Sequence, residues 1–228
     1  MMFGRFPLGG WSPIAMGPKA WWSADRGVTL SGSNVTAWAD QSGHGFDLTN
    51  SGNYPTYSAS GYNGHPSIEF NGHQWLVNTS AGLGQWITSV GTAISVFATL
   101  DTAAGAYHAP LSWHSTGLTN WLQYFATTPS NHMAGDVNGS FVPGSATTSG
   151  KKRLVWCCDG ATLNTYVNGV SDLVTSFSAS VTTDIFWCGV DLNGAGFYAD
   201  RMTELILVAG DASAYVARYE AYAKAKWG

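Results

Sequence analysis

The chain has 228 residues, 45% of them hydrophobic and 14% aromatic, which is ample for one large packed β domain and excludes a disordered chain. Charged residues make up only 11%, against about 25% in ordinary soluble domains, and the formal net charge is −4. The ten basic residues are mostly dispersed, and the Lys151-Lys152-Arg153 cluster reads as a solvated strand entry, so nucleic acid is excluded as a partner class. No window approaches the roughly 20 apolar residues of a membrane span.

Residues 1–18 are rich in glycine and proline and read as an extended N-terminal arm, carrying Phe3, Arg5, Phe6 and Trp11. The arm lacks the continuous apolar run of a secretory signal, because Pro7 and Pro13 break it. A single domain is expected over 19–228. Residues 19–25 form a first strand. Residues 34–40 follow with period-two alternation, and a turn-rich loop over 40–45 comes next. Short strands are expected at 54–57, 67–70 and 74–77, with Asn71-Gly72 as a hairpin-type turn. Residues 93–100 make a central strand, and 111–115 and 120–126 the next pair. Residues 131–138 read as a loop. Strands at 153–158, 163–167 and 184–190 surround tight turns at Asp159-Gly160 and Asn168-Gly169. The last strand spans 202–208. Asp211 then caps one short helix whose apolar stripe is Tyr215, Val216, Tyr219, Tyr222 and Ala223, with Lys224 and Lys226 at its C-terminal end. Roughly a dozen short strands at regular spacing predict an all-β, two-sheet antiparallel sandwich with one C-terminal helix.

Cys157 and Cys158 are neighbours on a strand and face opposite sides, so they do not pair with each other. With Cys188 they read as three buried thiols, one of the first two being able to lie near Cys188.

Five segments carry a family resemblance. They are Trp22-Ser23-Ala24-Asp25 with Gly27-Val28, the stretch 35–45 with Trp38, Asp40, Gly43 and Gly45, and the stretch 63–72. The others are Asp159-Gly160 with Tyr166 to Gly169, and the final strand and helix ending at Lys226-Trp227-Gly228. In order and spacing they resemble the LamG-like jelly-roll family of concanavalin A-type lectin and glucanase folds. The resemblance covers about 19–228 and implies a concanavalin A-like jelly roll. Members occur in secreted bacterial proteins, surface glycan-binding modules and phage virions. Fold alone does not fix function.

Retaining glucanase relatives use a Glu-x-Asp-x-x-Glu strand motif, because the chemistry needs two carboxyls about 5 Å apart. The three glutamates here, Glu69, Glu204 and Glu220, do not share that spacing. Lyase relatives pair a His or Tyr base with a carboxylate-neutralising Arg or Gln, and His108, His114, Gln123 and Tyr124 are the residues of those types, without a legible motif. The expectation is therefore a protein that is not an enzyme.

Sugars present apolar CH faces and many hydroxyls, so their sites pair aromatic platforms with amide and carboxylate groups. Trp113, His114, Asn120, Trp121, Gln123 and Tyr124, with His132 and Asp136 from the 131–138 stretch, form the candidate glycan surface; the competing reading places these aromatics in the core. Relatives bind calcium at a loop edge. Asp40, Asp47, Asp191 and Asn193 are weak donors for it, reading first as turn formers, so no cofactor is expected beyond that calcium option.

The expected function is a non-catalytic virion surface protein, a phage decoration, fibre or tail component with a glycan-binding, host-attachment role. The arm docks on other virion proteins, in many copies, and the location is the virion surface or extracellular space. The alternatives are a secreted carbohydrate-binding module, a polysaccharide hydrolase or lyase of the same fold, and a purely structural capsid or tail protein.

Overall fold

The computed structural model describes residues 10–50, 52–86, 92–103, 108–116, 121–126, 128, 132–177, 182–190, 198 and 200–228. In chain order its strands are β1 (Ala20–Ser23), β2 (Val28–Ser31), β3 (Asn34–Trp38), β4 (Leu48–Thr49), β5 (Thr56–Tyr62) and β6 (His65–Glu69). Then come β7 (Leu76–Asn78), β8 (Ile94–Thr102), β9 (Leu111–His114), β10 (Trp121–Phe125), β11 (His132–Val137) and β12 (Ser140–Thr147). The last are β13 (Gly150–Cys158), β14 (Thr162–Val167), β15 (Val170–Ser176), β16 (Ile185–Cys188) and β17 (Arg201–Ala209), before helix α1 (Val216–Trp227).

Every pairing is antiparallel. One sheet runs β15-β14-β13-β8-β17, with β1 and β6 sharing the far edge of β17 and β5 outside β6. The other runs β12-β11-β10-β9-β16-β7-β4-β3, with β2 outside β3. The pair Asn34–Thr56 joins β3 to β5 and nearly closes the sandwich.

Alternation decides what each strand buries. Val96, Ala98, Leu100, Trp156, Leu205 and Leu207 of the first sheet meet Leu111, Trp113, Leu122, Tyr124 and Phe186 of the second in the inter-sheet core. The opposite faces of β8, β13 and β17 present Phe97, Val155, Cys157 and Ile206. These pack under Val216, Tyr219, Tyr222, Ala223 and Trp227 of α1. Strands buried on both faces read as nearly continuous apolar runs, as β8 and β17 do. Cys157 lies on the helix side and Cys158 in the inter-sheet core, so their side chains diverge as expected. All three thiols are free and buried, and Cys188 Sγ sits 3.8 Å from Met202 Sδ.

A carboxylate anchors the helix. Glu204 is 0% exposed. Its Oε1 accepts from Tyr222 OH (2.7 Å), Trp21 Nε1 (3.1 Å) and Lys226 Nζ (3.3 Å), and its Oε2 from Trp227 Nε1 (3.3 Å). Lys226 also donates to Ser23 Oγ and Asp25 Oδ1. Burial pushes the Asp25 carboxyl up, but Lys226, Ser23 and Arg26 together outweigh it and hold the group below its usual range.

Several expectations change. Residues 131–138 are not a loop: His132–Val137 is β11, paired to both β10 and β12. Gly135 hides the alternation, and it is glycine because a Cβ there meets Leu163 and Phe177. Asn71-Gly72 closes no hairpin, since β6 pairs with β5 and β17 while β7 pairs with β16 and β4; the chain crosses between sheets there. Both residues of Asn168-Gly169 adopt positive φ (50° and 80°), the type I′ geometry of a two-residue hairpin turn, as do those of Asn138-Gly139. Asp211 does not cap the helix: Ala212 stands at the N-cap of the 3-10 turn Ser213–Tyr215 and Tyr215 at that of α1, neither with a side-chain cap bond, and Asp211 instead accepts from Ser213 N (2.9 Å) in a turn just ahead of them.

Of the arm, Phe3, Arg5 and Phe6 lie outside the described residues. Ser12 caps a 3-10 turn, Pro13–Met16, whose Met16 is buried, and Trp11 packs edge-on against Tyr222 at 5.5 Å. Among the described residues no helix is long and apolar enough to cross a membrane.

Candidate functional site

The second sheet has no helix over its outer side among the described residues. Side chains alternating away from the core on β9, β10, β11 and β16 therefore define a face of different chemistry. Ladder partners share that face: Gln123 lies opposite both Ser112 and Asp136, and Ser112 opposite Trp187, which lies opposite Val77. His114 lies one position along, opposite Trp121 and Ile185.

The candidate residues separate accordingly. Trp113 and Tyr124 turn inward. Trp113 packs on Phe186 at 4.9 Å and donates from Nε1 to Leu83 O, and Tyr124 packs on Trp156 at 5.6 Å. They support the face from behind and do not line it. His114, Gln123, His132 and Asp136 turn outward with Ser112. Asn120 and the Trp121 side chain lie outside what is described. The sequence reading missed Trp187 and Trp75, both half-buried, whose rings are 6.4 Å apart. Trp187 also lies 4.1 Å from the His114 ring, edge to face. The signal was present as a tryptophan at an outward position of β16, but it became readable only once the register was known.

Hydrogen bonding fixes what this face offers. His114 is 1% exposed and Gln123 3%. His114 Nδ1 faces the carbonyl oxygen of Ser115 at 3.1 Å, so Nδ1 carries the proton and donates. Burial lowers the pKa of His114, opposed by that bond and by Asp184, so the ring is neutral at pH 7 and Nε2 is an acceptor. Neither His114 Nε2 nor Gln123 Nε2 has a hydrogen-bond partner. A buried acceptor thus stands unmatched beside half-exposed Trp187, and a buried donor stands unmatched across β9 on the same face. Leaving such groups unpaired costs about 1–3 kcal/mol each, which a hydroxyl acting as donor and acceptor recovers.

The loop aspartates serve the fold. Asp40 accepts from Trp21 N (2.9 Å), Ser42 N (2.8 Å), Ser42 Oγ (2.7 Å) and Phe46 N (3.1 Å), and Asp47 Oδ1 accepts from Asp40 N. Asp191 and Asn193 lie outside the described residues. Among the described residues no group of three His, Cys, Asp or Glu side chains gathers to hold a metal ion.

A second feature opens at the edge of the first sheet. A cavity of about 180 Å3 is lined by Glu69, Phe70, Asp101, Asp200 and Arg201. Arg201 pairs with Glu69 at 3.1 Å and with Asp101 at 3.6 Å. Burial, with the Asp101 charge, outweighs the bond from Ala103 N and the charge of Arg201, and raises Asp200 to about 6. His108 Nδ1 lies 3.4 Å from its Oδ2. The residues of lyase type are therefore split: His108 faces Asp200, His114 and Gln123 share the outer face, and Tyr124 is in the core.

No family model matches the chain, and no curated protein matches it by sequence. Solved structures do. Domain 4 of AbnA, a GH43 extracellular arabinanase from Geobacillus stearothermophilus, in complex with arabinotriose, is similar over 88% of this chain and 97% of that one (TM-score 0.64, 15% identity). A GH54 α-L-arabinofuranosidase is similar over 95% of this chain and 66% of its own (TM-score 0.63, 13% identity). The CBM40 of a Ruminococcus gnavus IT-sialidase, bound to α2,6-sialyllactose, is similar over 66% of this chain and 95% of that one (TM-score 0.52, 10% identity). At these identities the likeness concerns the fold. It overturns one expectation: a missing Glu-x-Asp-x-x-Glu motif does not set this chain apart from enzymes, because the same fold occurs in chains named as glycoside hydrolases, and the carboxylates of the Asp200 cavity lie outside that motif.

Proposed function

We propose that this chain is a carbohydrate-recognition domain of the concanavalin A-like jelly-roll type, and that it holds its glycan on the outer face of the second sheet. The observation that carries the reading is the unmatched His114 Nε2, its ring 4.1 Å from Trp187, with the unmatched Gln123 Nε2 across β9 on the same face. A sugar brings a hydroxyl for that pair and a CH face for the Trp187 and Trp75 rings. Similarity in fold to a domain solved with arabinotriose and to one solved with sialyllactose supports it. The test is calorimetric titration of a polysaccharide panel into the parent protein and Trp187→Ala. Selective binding lost in Trp187→Ala is expected. A parent that binds nothing, or a variant that binds like the parent, overturns the reading.

A second reading has its own observation. Asp200 is half-protonated near pH 6 in an open cavity beside Asp101 and Glu69, the environment of a general acid. Release of reducing sugar from a polysaccharide, abolished in Asp200→Asn with glycan binding intact, supports catalysis there.

Display on an extracellular particle such as a phage virion extends the first reading. The low charge and the Gly, Ser, Thr and Asn richness support it, with Phe3, Arg5 and Phe6 as docking residues. Trp11 packs on this chain's own helix and is not free for a partner in that arrangement. Particle incorporation of a chain lacking residues 1–9 decides the matter, unchanged incorporation removing the arm's role.

A further inference from the structure

Positive charge on this molecule is confined to one side. Arg5 lies outside the described residues. The nine other lysines and arginines fall in or beside β1, β2, β13, β17 and α1. No lysine or arginine occurs between Arg26 and Lys151, or between Arg153 and Arg201. Those two stretches contain all of β4, β7, β9, β10, β11, β12 and β16. The sheet that carries the outer face therefore has no permanent cation in its strands or in the loops between them.

Four of the cations elsewhere are engaged as follows. Arg153 pairs with Glu220 at 2.8 Å, Arg201 with Glu69 and Asp101, and Lys226 with Glu204 and Asp25. Lys19 lies over the rings of Phe46 (5.2 Å) and Trp86 (5.9 Å).

The formal charges on the face are negative. Asp136 sits on it, 8% exposed, and Asp184, just before β16 at the end of the face, accepts from Thr116 N and Oγ1 and is close enough for its charge to act on His114. His114 adds no charge at pH 7, since burial keeps its ring neutral. A ligand carboxylate placed here would lose water, find no cation, and meet the Asp136 carboxylate with the Asp184 charge close by. Burying a charge without a partner is among the costliest events in recognition, and like-charge juxtaposition is how surfaces reject a ligand class. What the face does present is hydroxyl-scale hydrogen bonding and aromatic surface.

We infer that the face around Trp187, Trp75, His114 and Gln123 selects uncharged oligosaccharides and rejects sugars bearing a carboxylate, such as sialylated or uronic-acid glycans. This rests on the reading that the face binds glycan at all. It separates the chain from the sialyllactose-bound domain that shares its fold.

The experiment uses matched probes that differ by one acidic sugar: lactose against α2,6-sialyllactose, and xylotriose against its glucuronic-acid-substituted form, with arabinotriose as a further neutral probe. Each is titrated into the parent, Trp187→Ala and Val77→Lys at pH 7.5, by calorimetry and by tryptophan fluorescence. Val77 stands opposite Trp187 in the ladder, so the lysine brings a cation to the face. The expected result is that at least one neutral probe binds, about tenfold or more tighter than its acidic partner. Trp187→Ala loses that binding and Val77→Lys narrows the gap. Acidic probes bound by the parent as tightly as their neutral partners, in a Trp187-dependent way, overturn the inference while leaving the glycan reading standing. A folded parent that binds no probe of either class overturns the glycan reading and the inference with it.

Discussion

Removing the Lys226 ammonium should cost far more than a surface charge substitution. Lys226 is 7% exposed and its Nζ reaches Glu204 Oε1 at 3.3 Å and Asp25 Oδ1 at 3.2 Å. Glu204 itself is sealed between β17 and α1. In Lys226→Met the Glu204 carboxylate keeps its bonds from Trp21, Tyr222 and Trp227 but loses its counter-charge. Breaking a buried pair in this way costs about 3–5 kcal/mol, against about 0–1 kcal/mol for an exposed pair. Glu204→Gln keeps the shape and an acceptor oxygen but turns an amide N–H toward one of the indole or phenol donors, for a loss of about 2–4 kcal/mol. The double variant removes both charges, and its cost should fall short of the sum by about 1–3 kcal/mol. Urea unfolding followed by the fluorescence of the eleven tryptophans, with circular dichroism as a second probe, gives each value. At this chain length the Lys226→Met loss corresponds to roughly 10 °C in melting temperature. A Lys226→Met protein within about 0.5 kcal/mol of the parent, or strict additivity in the cycle, refutes the argument that a buried charge pair locks the helix.

Asp200 makes stability depend on pH with an unusual sign. Its folded-state pKa is raised from 3.8 to about 6, so the native state binds the proton more tightly than the unfolded chain. The contribution is full below about pH 4 and is lost as pH rises through 6; Asp200→Asn should therefore stabilise the protein at pH 8 and give no advantage at pH 3.5, in melting curves across that range. Asp172 Oδ1 accepts from Ser145 N, Ser145 Oγ and Ala146 N, tying β15 to β12 across the open end of the sandwich. Asp172→Ala is expected to cost about 2 kcal/mol in urea unfolding. Gly144→Ala should also destabilise, since its Cβ would strike the same carboxylate. Asp40 organises its loop with four accepted hydrogen bonds, so Asp40→Ala should lose about 2 kcal/mol. Because those lone pairs are spent, EDTA should shift the parent's melting temperature by less than about 1 °C, whereas a large drop would restore Asp40 and Asp47 as ion ligands.

The sandwich was legible because most of its strands announce themselves locally. The period-two run on β3, the apolar runs of β8 and β17, and the Asn168-Gly169 turn each fix a piece without long-range information. Strands β2, β4, β11, β12 and β15 were not legible. Two are short or exposed edges, β12 turns only Val142, Gly144 and Ala146 inward with Phe141 exposed, and β15 exposes Val170 and Val174, so neither shows an apolar alternation in sequence. Gly135 disguised β11 for a tertiary reason, the approach of Leu163 and Phe177. The site was half legible for a related reason. Alternation alone says that Trp113 and His114 face opposite ways, but not which way is out. That choice depends on where α1 lies, since the helix covers the first sheet and leaves the second to present its outer side.

The same asymmetry explains why the two sheets differ in chemistry. A sheet packed on both faces needs cations and carboxylates only where they seal its covering helix, as Glu204 and Lys226 do. Its remaining charges are pushed to the rim, where Arg153 meets Glu220 and Arg201 meets Asp101. Among the described residues the second sheet carries no helix on its outer face and needs no such seal. Polar residues on it are held instead by strand geometry, recessed between aromatic rings, with valences such as His114 Nε2 left unmatched. Keeping an unmatched acceptor and donor buried is a standing cost to stability, of the kind that persists when a ligand repays it. A neutral sugar, whose hydroxyls donate as well as accept, can repay both groups, whereas a carboxylate, which only accepts, matches Gln123 and leaves the His114 lone pair opposed.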